Sequence, residues 1–225
     1  MSSAPSVAIV DYALGNIESV RLAFAHVGVE AIVSADPDEV ADARALVLPG
    51  VGAFGDAMAA LEKRGLVRVL IDFAASGRPL VGICLGMQLL LGHSEEFGSH
   101  EGLGLVPGAV RRFPSPQLAD DARYGPGAKV PQVGWNRVEA PAHRRDGWQG
   151  TLLEGLESGA HMYFMHSYYV DPESRDVVLA ESEYAGVRFC SALRRANVTG
   201  FQFHPERSAE AGLSIYRNFA RGLSA

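Results

Sequence analysis

Strand-like and helix-like hydrophobic patterns alternate through the first hundred residues, and this alternation limits the folds open to the chain. Strands that alternate with helices form a parallel sheet whose two faces are covered by helices. The sequence therefore predicts an α/β fold of three layers around a central, mostly parallel sheet. The expected strands lie at residues 7–10, 31–33, 46–48 and 79–83, and the expected helices at 17–27, from 36 onward, 56–63, 66–75 and 88–91.

The second half of the chain has a different pattern. Proline and glycine are dense between residues 107 and 134, and several short strand-like runs follow. We expect these runs to form an antiparallel excursion from the sheet, with a hairpin turn at residues 194–197 and a final helix at 208–223. The runs lie at residues 132–138, 162–170, 177–183, 187–193 and 198–203.

Length and composition indicate one self-sufficient core. A chain of 225 residues with 48% hydrophobic residues can bury most of its surface without disulfides, so one domain spanning residues 1–225 is expected. Residues 1–6 are expected to be a flexible tail. The net charge of −6 disfavours binding to nucleic acid or to an anionic membrane, since both need a concentrated positive face.

The chain carries no recognisable targeting signal. Its first residues lack a basic segment followed by an apolar one, and the longest apolar run, at residues 80–91, is too short to span a bilayer. Two cysteines cannot form the disulfide framework of a small secreted protein. We therefore expect a cytoplasmic protein.

A cysteine flanked by glycines follows the fourth apolar run, in the order Gly82-Ile83-Cys84-Leu85-Gly86. This order is typical of a nucleophile elbow, a sharp strand-to-helix turn that raises the nucleophile above the sheet. The glycines permit a strained turn with close backbone approach, and a helix N-terminus stabilises an anion. Cys84 is therefore the candidate nucleophile, whereas Cys190 lies inside a strand-like run and is expected to be a core residue.

A histidine and a glutamate that can act with the thiol occur far downstream, in Phe201-Gln202-Phe203-His204-Pro205-Glu206. Pro205 favours an extended conformation at His204, and side chains two residues apart in an extended chain point to the same side. Glu206 can therefore orient the His204 imidazole. A cysteine, a base and a group that orients the base are what nucleophilic catalysis by a thiol requires.

The segment Leu48-Pro49-Gly50-Val51-Gly52 directly follows the third apolar run. Ligands of doubly wound sheets bind at the carboxyl ends of the strands, where such small residues let the backbone approach a substrate. We expect a backbone N–H of this loop, at Val51, to form an oxyanion hole together with that of Leu85. Gly50 and Gly52 are expected to border the substrate.

Together these residues resemble the class I (triad) glutamine amidotransferases. The resemblance rests on Gly82-Ile83-Cys84-Leu85-Gly86-Met87-Gln88, followed downstream by His204-Pro205-Glu206. Within that family, further segments are similar to the glutaminase subunits of imidazole glycerol phosphate synthases, and the likeness runs from about residue 7 to residue 223. It implies a flavodoxin-like three-layer sandwich. The further segments are residues 11–16, 48–55, 134–136, 165–169 and 200–208.

The resemblance also implies the chemistry of the site. Cys84 would attack the side-chain amide of glutamine, His204 would give a proton to the departing ammonia and then activate water, and Glu206 would hold His204. The family pattern places Gln88 and Glu96 at the amino-acid end of glutamine. It also places backbone groups of Ser167 and Tyr168 there.

A partner is implied in the same way. The glutaminase subunits of this family dock on a (β/α)₈-barrel cyclase subunit as a heterodimer, and the ammonia passes to a substrate called PRFAR, giving imidazole glycerol phosphate and AICAR in histidine biosynthesis. By resemblance, the candidate interface residues are Asn16, Trp135, Asn136, Tyr163 and Arg207. No cofactor is implied, and no metal site is expected, because the other histidines lack metal-ligand spacing.

Some positions depart from the family pattern. Ala13 stands where glycine is usual, Gln132 where histidine is common, and Arg207 where lysine is frequent, which keeps the charge but changes the hydrogen-bond geometry. Residues 115–129 are expected to form an enlarged surface loop. None of these departures falls on the predicted triad.

Three alternatives remain open from the sequence. The chain can serve another synthase as its triad glutaminase, although residues 204–208 and the segment around Asn16 disfavour this. It can be a γ-glutamyl peptidase with the same elbow, which would turn over without a partner. It can also be a degenerate binding subunit, although an intact Cys84, His204 and Glu206 disfavours that.

Overall fold

A large mixed sheet forms the centre of the computed structural model, which describes residues 6–114 and 129–224. The strands are β1 (Val7–Val10), β2 (Ala31–Ser34), β3 (Leu46–Gly50), β4 (Leu80–Cys84), β5 (Leu91–Ser94), β6 (His100–Glu101), β7 (Val106–Arg112), β8 (Gln132–Val138), β9 (Ala160–His166), β10 (Tyr168–Pro172), β11 (Val178–Tyr184), β12 (Val187–Arg195) and β13 (Val198–Phe201). The helices are α1 (Ile17–His26), α2 (Pro37–Asp42), α3 (Phe54–Lys63), α4 (Leu66–Ala75), α5 (Leu85–Leu89) and α6 (Ala209–Ser224).

The central sheet has the strand order β2-β1-β3-β4-β13-β12-β10-β7-β5-β6, and β11 pairs with β12. Its first five strands are parallel, so their carboxyl ends lie at one edge. From β13 onward the pairing becomes antiparallel through β12, β10 and β7. The strands β8 and β9 form a separate antiparallel pair. The prediction of a central sheet with an antiparallel excursion is confirmed.

Alternate residues of the parallel strands face two different hydrophobic layers. Val10 and Leu48 belong to a cluster that includes Phe73 of α4. The neighbouring residues Ile9 and Val47 belong to a second cluster, which includes side chains of α1, α6 and the β8–β9 pair. Because successive strand residues point to opposite faces, one sheet supports both layers. The result is the three-layer α/β arrangement that the alternating patterns predict.

Local sequence signals explain where several elements begin. The Asp36 side chain accepts hydrogen bonds from the N–H groups of Asp38 and Glu39, and Pro37 occupies the first position of α2. The β12–β13 hairpin turns between Arg195 and Val198, at the position expected for it.

Other expectations are corrected. Residues 162–170 form two strands rather than one, because the chain leaves the β8–β9 pair after His166 and joins the central sheet at Tyr168. The predicted helix at residues 88–91 ends at Leu89, and Leu91 begins β5. Periodicity alone does not separate short buried strands from short buried helices. The predicted loop at 115–129 lies, apart from its last residue, outside the described residues, as do residues 1–5 of the expected tail.

Membrane-spanning helices and clusters of metal-ligating side chains are both absent from residues 6–114 and 129–224. Within these ranges no helix is long and apolar enough to cross a membrane. The same ranges contain no group of three or more His, Cys, Asp or Glu side chains arranged to hold a metal ion.

Candidate active site

The candidate nucleophile lies on a strained turn between β4 and α5. Cys84 has φ of 55° and ψ of −112°, and its side chain is buried beside the Met165 carbonyl oxygen at 3.8 Å. A Cβ on Gly86 would collide with the Leu48 carbonyl, and one on Gly82 would lie 2.6 Å from the Gly86 oxygen. Both glycines are therefore required by close backbone packing, as the elbow pattern predicts.

The histidine and glutamate reach the cysteine from the neighbouring strand. β13 pairs in parallel with β4, so that Phe201 lies opposite Ile83 and the chain after each strand leaves the same edge. The His204 N–H donates to the Tyr163 carbonyl at 2.9 Å, which holds the residue in an extended conformation. The His204 Nδ1 atom lies 2.8 Å from Glu206 Oε1, and the side chains of His204 and Cys84 line the same cavity.

This environment makes the imidazole strongly basic. Burial, the largest single effect, lowers the pKa of His204, but the negative charge of Cys84 and the hydrogen bonds to Cys84 and Glu206 together raise it to about 10. The imidazole is therefore protonated at neutral pH when the thiolate is present. A thiolate beside an imidazolium is a nucleophile paired with an acid that can protonate a leaving amine.

The loop after β3 is held by the segment that follows β1. The Tyr12 hydroxyl donates to the Pro49 carbonyl at 2.8 Å, and a Cβ on Gly50 would collide with that hydroxyl. The Val51 N–H donates to the Leu14 carbonyl at 3.4 Å. An oxyanion role for Val51 thus requires this N–H to leave Leu14, and it stays a prediction. The Leu85 N–H, in the first turn of α5, has no partner within the helix.

Gln88 is buried, and both N–H groups of its side-chain amide form hydrogen bonds within the chain. Its Nε2 atom donates to the Tyr168 carbonyl at 2.9 Å and to Gln202 Oε1 at 3.2 Å. The two N–H groups of the amide are thereby used, so Gln88 retains only its Oε1 oxygen as an acceptor for a ligand.

Glu96 is anchored at the start of α3. Its Oε2 atom accepts a hydrogen bond from the Phe54 N–H at 2.6 Å. Burial, as the main cause, raises the pKa of Glu96, and the Phe54 hydrogen bond and the charge of His100 oppose this. The other carboxylate oxygen takes no part in this contact.

One cavity of about 230 Å³ brings most of the predicted residues together. Gly50 and Glu206 do not line it, because Gly50 packs against Tyr12 and the elbow, and Glu206 lies behind His204. Its predicted lining residues are Val51, Gly52, Cys84, Leu85, Gln88, Glu96, Ser167, Tyr168 and His204, joined by Pro131, Met165 and His166.

Three of the five candidate interface residues share one surface. Trp135 is 54% exposed, its ring lies 6.2 Å from that of Tyr163, and the Arg207 guanidinium stacks 4.6 Å above the Tyr163 ring. The other two are engaged within the chain. The Asn136 amide donates to the Glu183 carbonyl, and Asn16 accepts from the Ser19 hydroxyl.

Three further residues, which are not among the candidates from the sequence, hold groups that border this cavity. Tyr12 holds Pro49, and His166 donates from Nδ1 to the Tyr168 carbonyl. Gln202 contacts both Gln88 and Cys84. The position of Gln202 could have been predicted from the sequence. It is a polar residue between Phe201 and Phe203, at the carboxyl end of a buried strand, where ligands of such sheets bind.

The cysteine elbow lies at the carboxyl edge of the parallel strands, and His204 and Glu206 follow the neighbouring strand, an arrangement suited to an enzyme with a thiol nucleophile. The chain belongs to the class-I glutamine amidotransferase family, whose sequence model matches residues 8–223. Two solved structures show the same fold at 19% identity. One is a glutamine amidotransferase with a TM-score of 0.70, covering 98% of this chain and 100% of its own. The other is PurLQS from Thermotoga maritima, with a TM-score of 0.70, covering 97% of this chain and 99% of its own.

Curated relatives narrow the assignment within the family. The chain is 47% identical over 213 residues to "Imidazole glycerol phosphate synthase subunit HisH" of Syntrophotalea carbinolica, covering 95% of this chain and 98% of the relative. It is 44% identical over 214 residues to the protein of the same name from Chlorobium luteolum, with the same coverage. The chain therefore groups with the HisH glutaminase subunits, which are glutamine-hydrolysing enzymes of histidine biosynthesis.

Proposed function

We propose that the chain hydrolyses glutamine to glutamate and ammonia through a thioester on Cys84. We further propose that it passes the ammonia to a cyclase subunit, which makes imidazole glycerol phosphate and AICAR from PRFAR. The observation that carries the proposal is the Cys84–His204–Glu206 arrangement beside a small cavity, in a chain similar to HisH subunits over 95% of its length.

The first half of the reaction uses the thiolate and the imidazolium. The Cys84 sulfur attacks the side-chain amide carbon of glutamine, and the amide oxygen becomes an oxyanion. The Leu85 N–H donates to that oxyanion, joined by the Val51 N–H once it leaves Leu14. Each such donor contributes roughly 10²–10³ in rate. His204 then gives its proton to the amide nitrogen, the C–N bond breaks, and ammonia leaves a thioester.

The second half reverses the role of the histidine. Neutral His204 accepts a proton from a water molecule, whose oxygen attacks the thioester carbon. The C–S bond breaks, glutamate leaves, and the Cys84 thiolate and the imidazolium are restored. Glu206, 2.8 Å from Nδ1, keeps the other ring nitrogen turned to the sulfur and stabilises the charged ring.

Gln88 and Glu96, which both line the cavity, offer oxygen acceptors. Gln88 retains only Oε1, and Glu96 retains the oxygen that Phe54 does not use. We assign both to the α-ammonium group of glutamine. Backbone groups of Gly52, Ser167 and Tyr168, which line the cavity, are assigned to the rest of the substrate, whereas Gly50 packs against Tyr12 and the elbow and is not assigned to it.

An exposed apolar face lies beside this cavity. Val133, Trp135 and Met165 are 58%, 54% and 46% exposed, and Val133 lies opposite Met165 in the β8–β9 ladder. Met165 also lines the cavity, so ammonia released there would emerge next to this face. We propose this face, with Tyr163 and Arg207, as the docking surface for the cyclase in a heterodimer.

We also propose a cytoplasmic location. Cys84 and Cys190 are both free thiols, and the reductants of the cytoplasm keep thiols in that state.

The decisive experiment measures glutamate release from glutamine by the chain alone, with the cyclase subunit, and with the cyclase plus PRFAR. We expect strong stimulation only in the full mixture. Cys84→Ala should abolish glutamine-dependent synthesis in that mixture and leave ammonia-dependent synthesis intact, because only the glutaminase site is lost.

Other outcomes would contradict the proposal. Full activity of the chain alone would indicate an independent γ-glutamyl hydrolase. No activity of the folded chain in any mixture would indicate a different synthase or a non-catalytic subunit. Loss of ammonia-dependent synthesis in Cys84→Ala would exclude a role confined to ammonia supply.

A further inference from the structure

A chain of hydrogen bonds runs from a backbone carbonyl to the catalytic sulfur. The Gln88 Nε2 atom donates to the Tyr168 carbonyl at 2.9 Å and to Gln202 Oε1 at 3.2 Å. The Gln202 Nε2 atom then lies 3.9 Å from Cys84 Sγ, within hydrogen-bond distance for sulfur. Gln202 is fully buried, and Gln88 is 4% exposed.

The orientation of both amides follows from the carbonyl. A backbone carbonyl can only accept, so the Gln88 amide must turn its nitrogen to Tyr168. The same nitrogen is beside Gln202, which must therefore present its oxygen to Gln88 and its nitrogen to Cys84. His166 donates from Nδ1 to the same Tyr168 carbonyl at 2.8 Å, which helps to hold that carbonyl in place.

The fold explains why Gln202 faces the sulfur. Phe201 is paired with Ile83 in the parallel β13–β4 ladder, so Gln202 and Cys84 are the next residues on the two neighbouring strands. The Gln202 N–H donates to the Ser191 carbonyl, which fixes the backbone at this point. The Gln202 side chain thus reaches the sulfur from the end of β13, two residues before His204.

We propose that Gln202 is a further catalytic residue, whose amide N–H donates to the Cys84 thiolate. The inference rests on the proposed function of Cys84 as the nucleophile. A hydrogen bond to an anion is stronger than a hydrogen bond between two neutral groups, above all in a buried site. Hydrogen bonds in a chain also polarise one another, which strengthens the bond from Gln202 to the sulfur. Gln202 therefore stabilises the thiolate before attack and again as it leaves the thioester.

Alkylation of Cys84 by iodoacetamide tests this without glutamine or a partner. The rate is followed against pH by mass spectrometry of the Cys84 peptide, in wild type, Gln202→Met and Gln202→Glu. Met has similar length and no donor, so the ionisation constant of the thiol should fall about tenfold, and half-maximal alkylation should move about one unit higher in pH. Glu keeps the acceptor for Gln88 but places a negative charge beside the sulfur, so a larger shift is expected.

The control is the same substitution at another buried glutamine. Gln132 is 3% exposed and belongs to the separate β8–β9 pair, so Gln132→Met should leave the alkylation profile as in wild type. In the stimulated complex, Gln202→Met should lower kcat for glutamate release about tenfold with little change in KM. A purely structural role would instead lower the free energy of unfolding without moving the alkylation profile.

Wild-type alkylation profiles in both Gln202 variants would overturn the proposal. If Gln202→Met does not fold, an unshifted profile in Gln202→Glu overturns it alone. Since alkylation needs no partner, a shifted profile in a chain that shows no glutaminase activity would contradict the proposed function and leave the Gln202–Cys84 contact supported.

Discussion

Cys84 has a backbone conformation, with φ of 55°, that residues with a Cβ rarely adopt. Ala13 shares this property, with φ of 71°, and its N–H donates to the Asp11 carboxylate at 2.8 Å. Glycine, which the family pattern favours at position 13, would adopt this conformation without strain. The departure at Ala13 is therefore tolerated because the Asp11 side chain holds the turn.

The pKa of His204 should depend on the sulfur. The charge of Cys84 and its hydrogen bond are the leading effects that raise this pKa to about 10, and burial opposes them. Cys84→Ala should therefore lower the pKa of His204 well below 10, as measured by NMR titration of labelled histidine.

The matched control is the buried cysteine that does not touch the triad. Cys190→Ala should leave the pKa of His204 at about 10. A His204 that still titrates near 10 in Cys84→Ala would show that Glu206 alone sets its charge, and that the thiolate and imidazolium are not coupled.

At the scale of elements, the elbow depends on the close packing of α5 against β3. Gly86→Ala should lower the free energy of unfolding by at least about 2 kcal/mol, because its Cβ would collide with the Leu48 carbonyl and backbone cannot move aside cheaply. Urea unfolding followed by circular dichroism measures the change.

Gly222→Ala provides the control within a helix. Gly222 lies in α6 with no atom near the position of a Cβ, so alanine there should raise the free energy of unfolding by about 0.5–1 kcal/mol. Equal effects of the two substitutions would contradict the packing argument.

Most elements could be predicted because their signals are local. The apolar runs of β1 to β4 and the Asp36 cap lie within a few residues of the structure they specify. The break between His166 and Tyr168 could not be predicted, because both halves have strand-like sequences. Only their pairing with different partners, β8 in one case and β7 in the other, separates them.

At the scale of the whole molecule, His166 connects the two sheets. Its ring lies 5.2–5.6 Å from those of Phe113, Phe164 and Phe189. Burial, as the main cause, lowers the pKa of His166 to about 4, with a smaller contribution from the charge of His204, while the hydrogen bond to Tyr168 opposes both. The ring is therefore neutral inside the folded chain.

This depressed pKa predicts a loss of stability in acid. The unfolded chain takes up a proton at His166 near pH 6.5, whereas the folded chain does so only near pH 4. The contribution of neutral His166 to the free energy of unfolding is therefore complete above pH 6.5 and is lost as the pH falls toward 4. Between pH 7.5 and pH 5, His166 should account for a decrease of about 2 kcal/mol in the free energy of unfolding.

Urea unfolding at both pH values checks this, with two variants. His166→Phe should remove the decrease, since phenylalanine fits an aromatic cluster and does not titrate. His143→Phe, at an exposed position, should retain it. A decrease of the same size in His166→Phe would show that other groups cause the acid sensitivity.

Short stretches of sequence are enough to specify the class of fold, the elbow at Cys84 and the convergence of His204 with Glu206. Each depends on hydrophobic periodicity or on residue types within a few positions, and these are properties of the sequence before it folds. Long-range packing determines that β13 lies beside β4, which brings His204 and Gln202 to the sulfur. It also determines that the Val51 N–H is held by Leu14. Contacts between distant segments depend on the packing free energy of the whole chain, so they cannot be predicted from a short stretch of sequence.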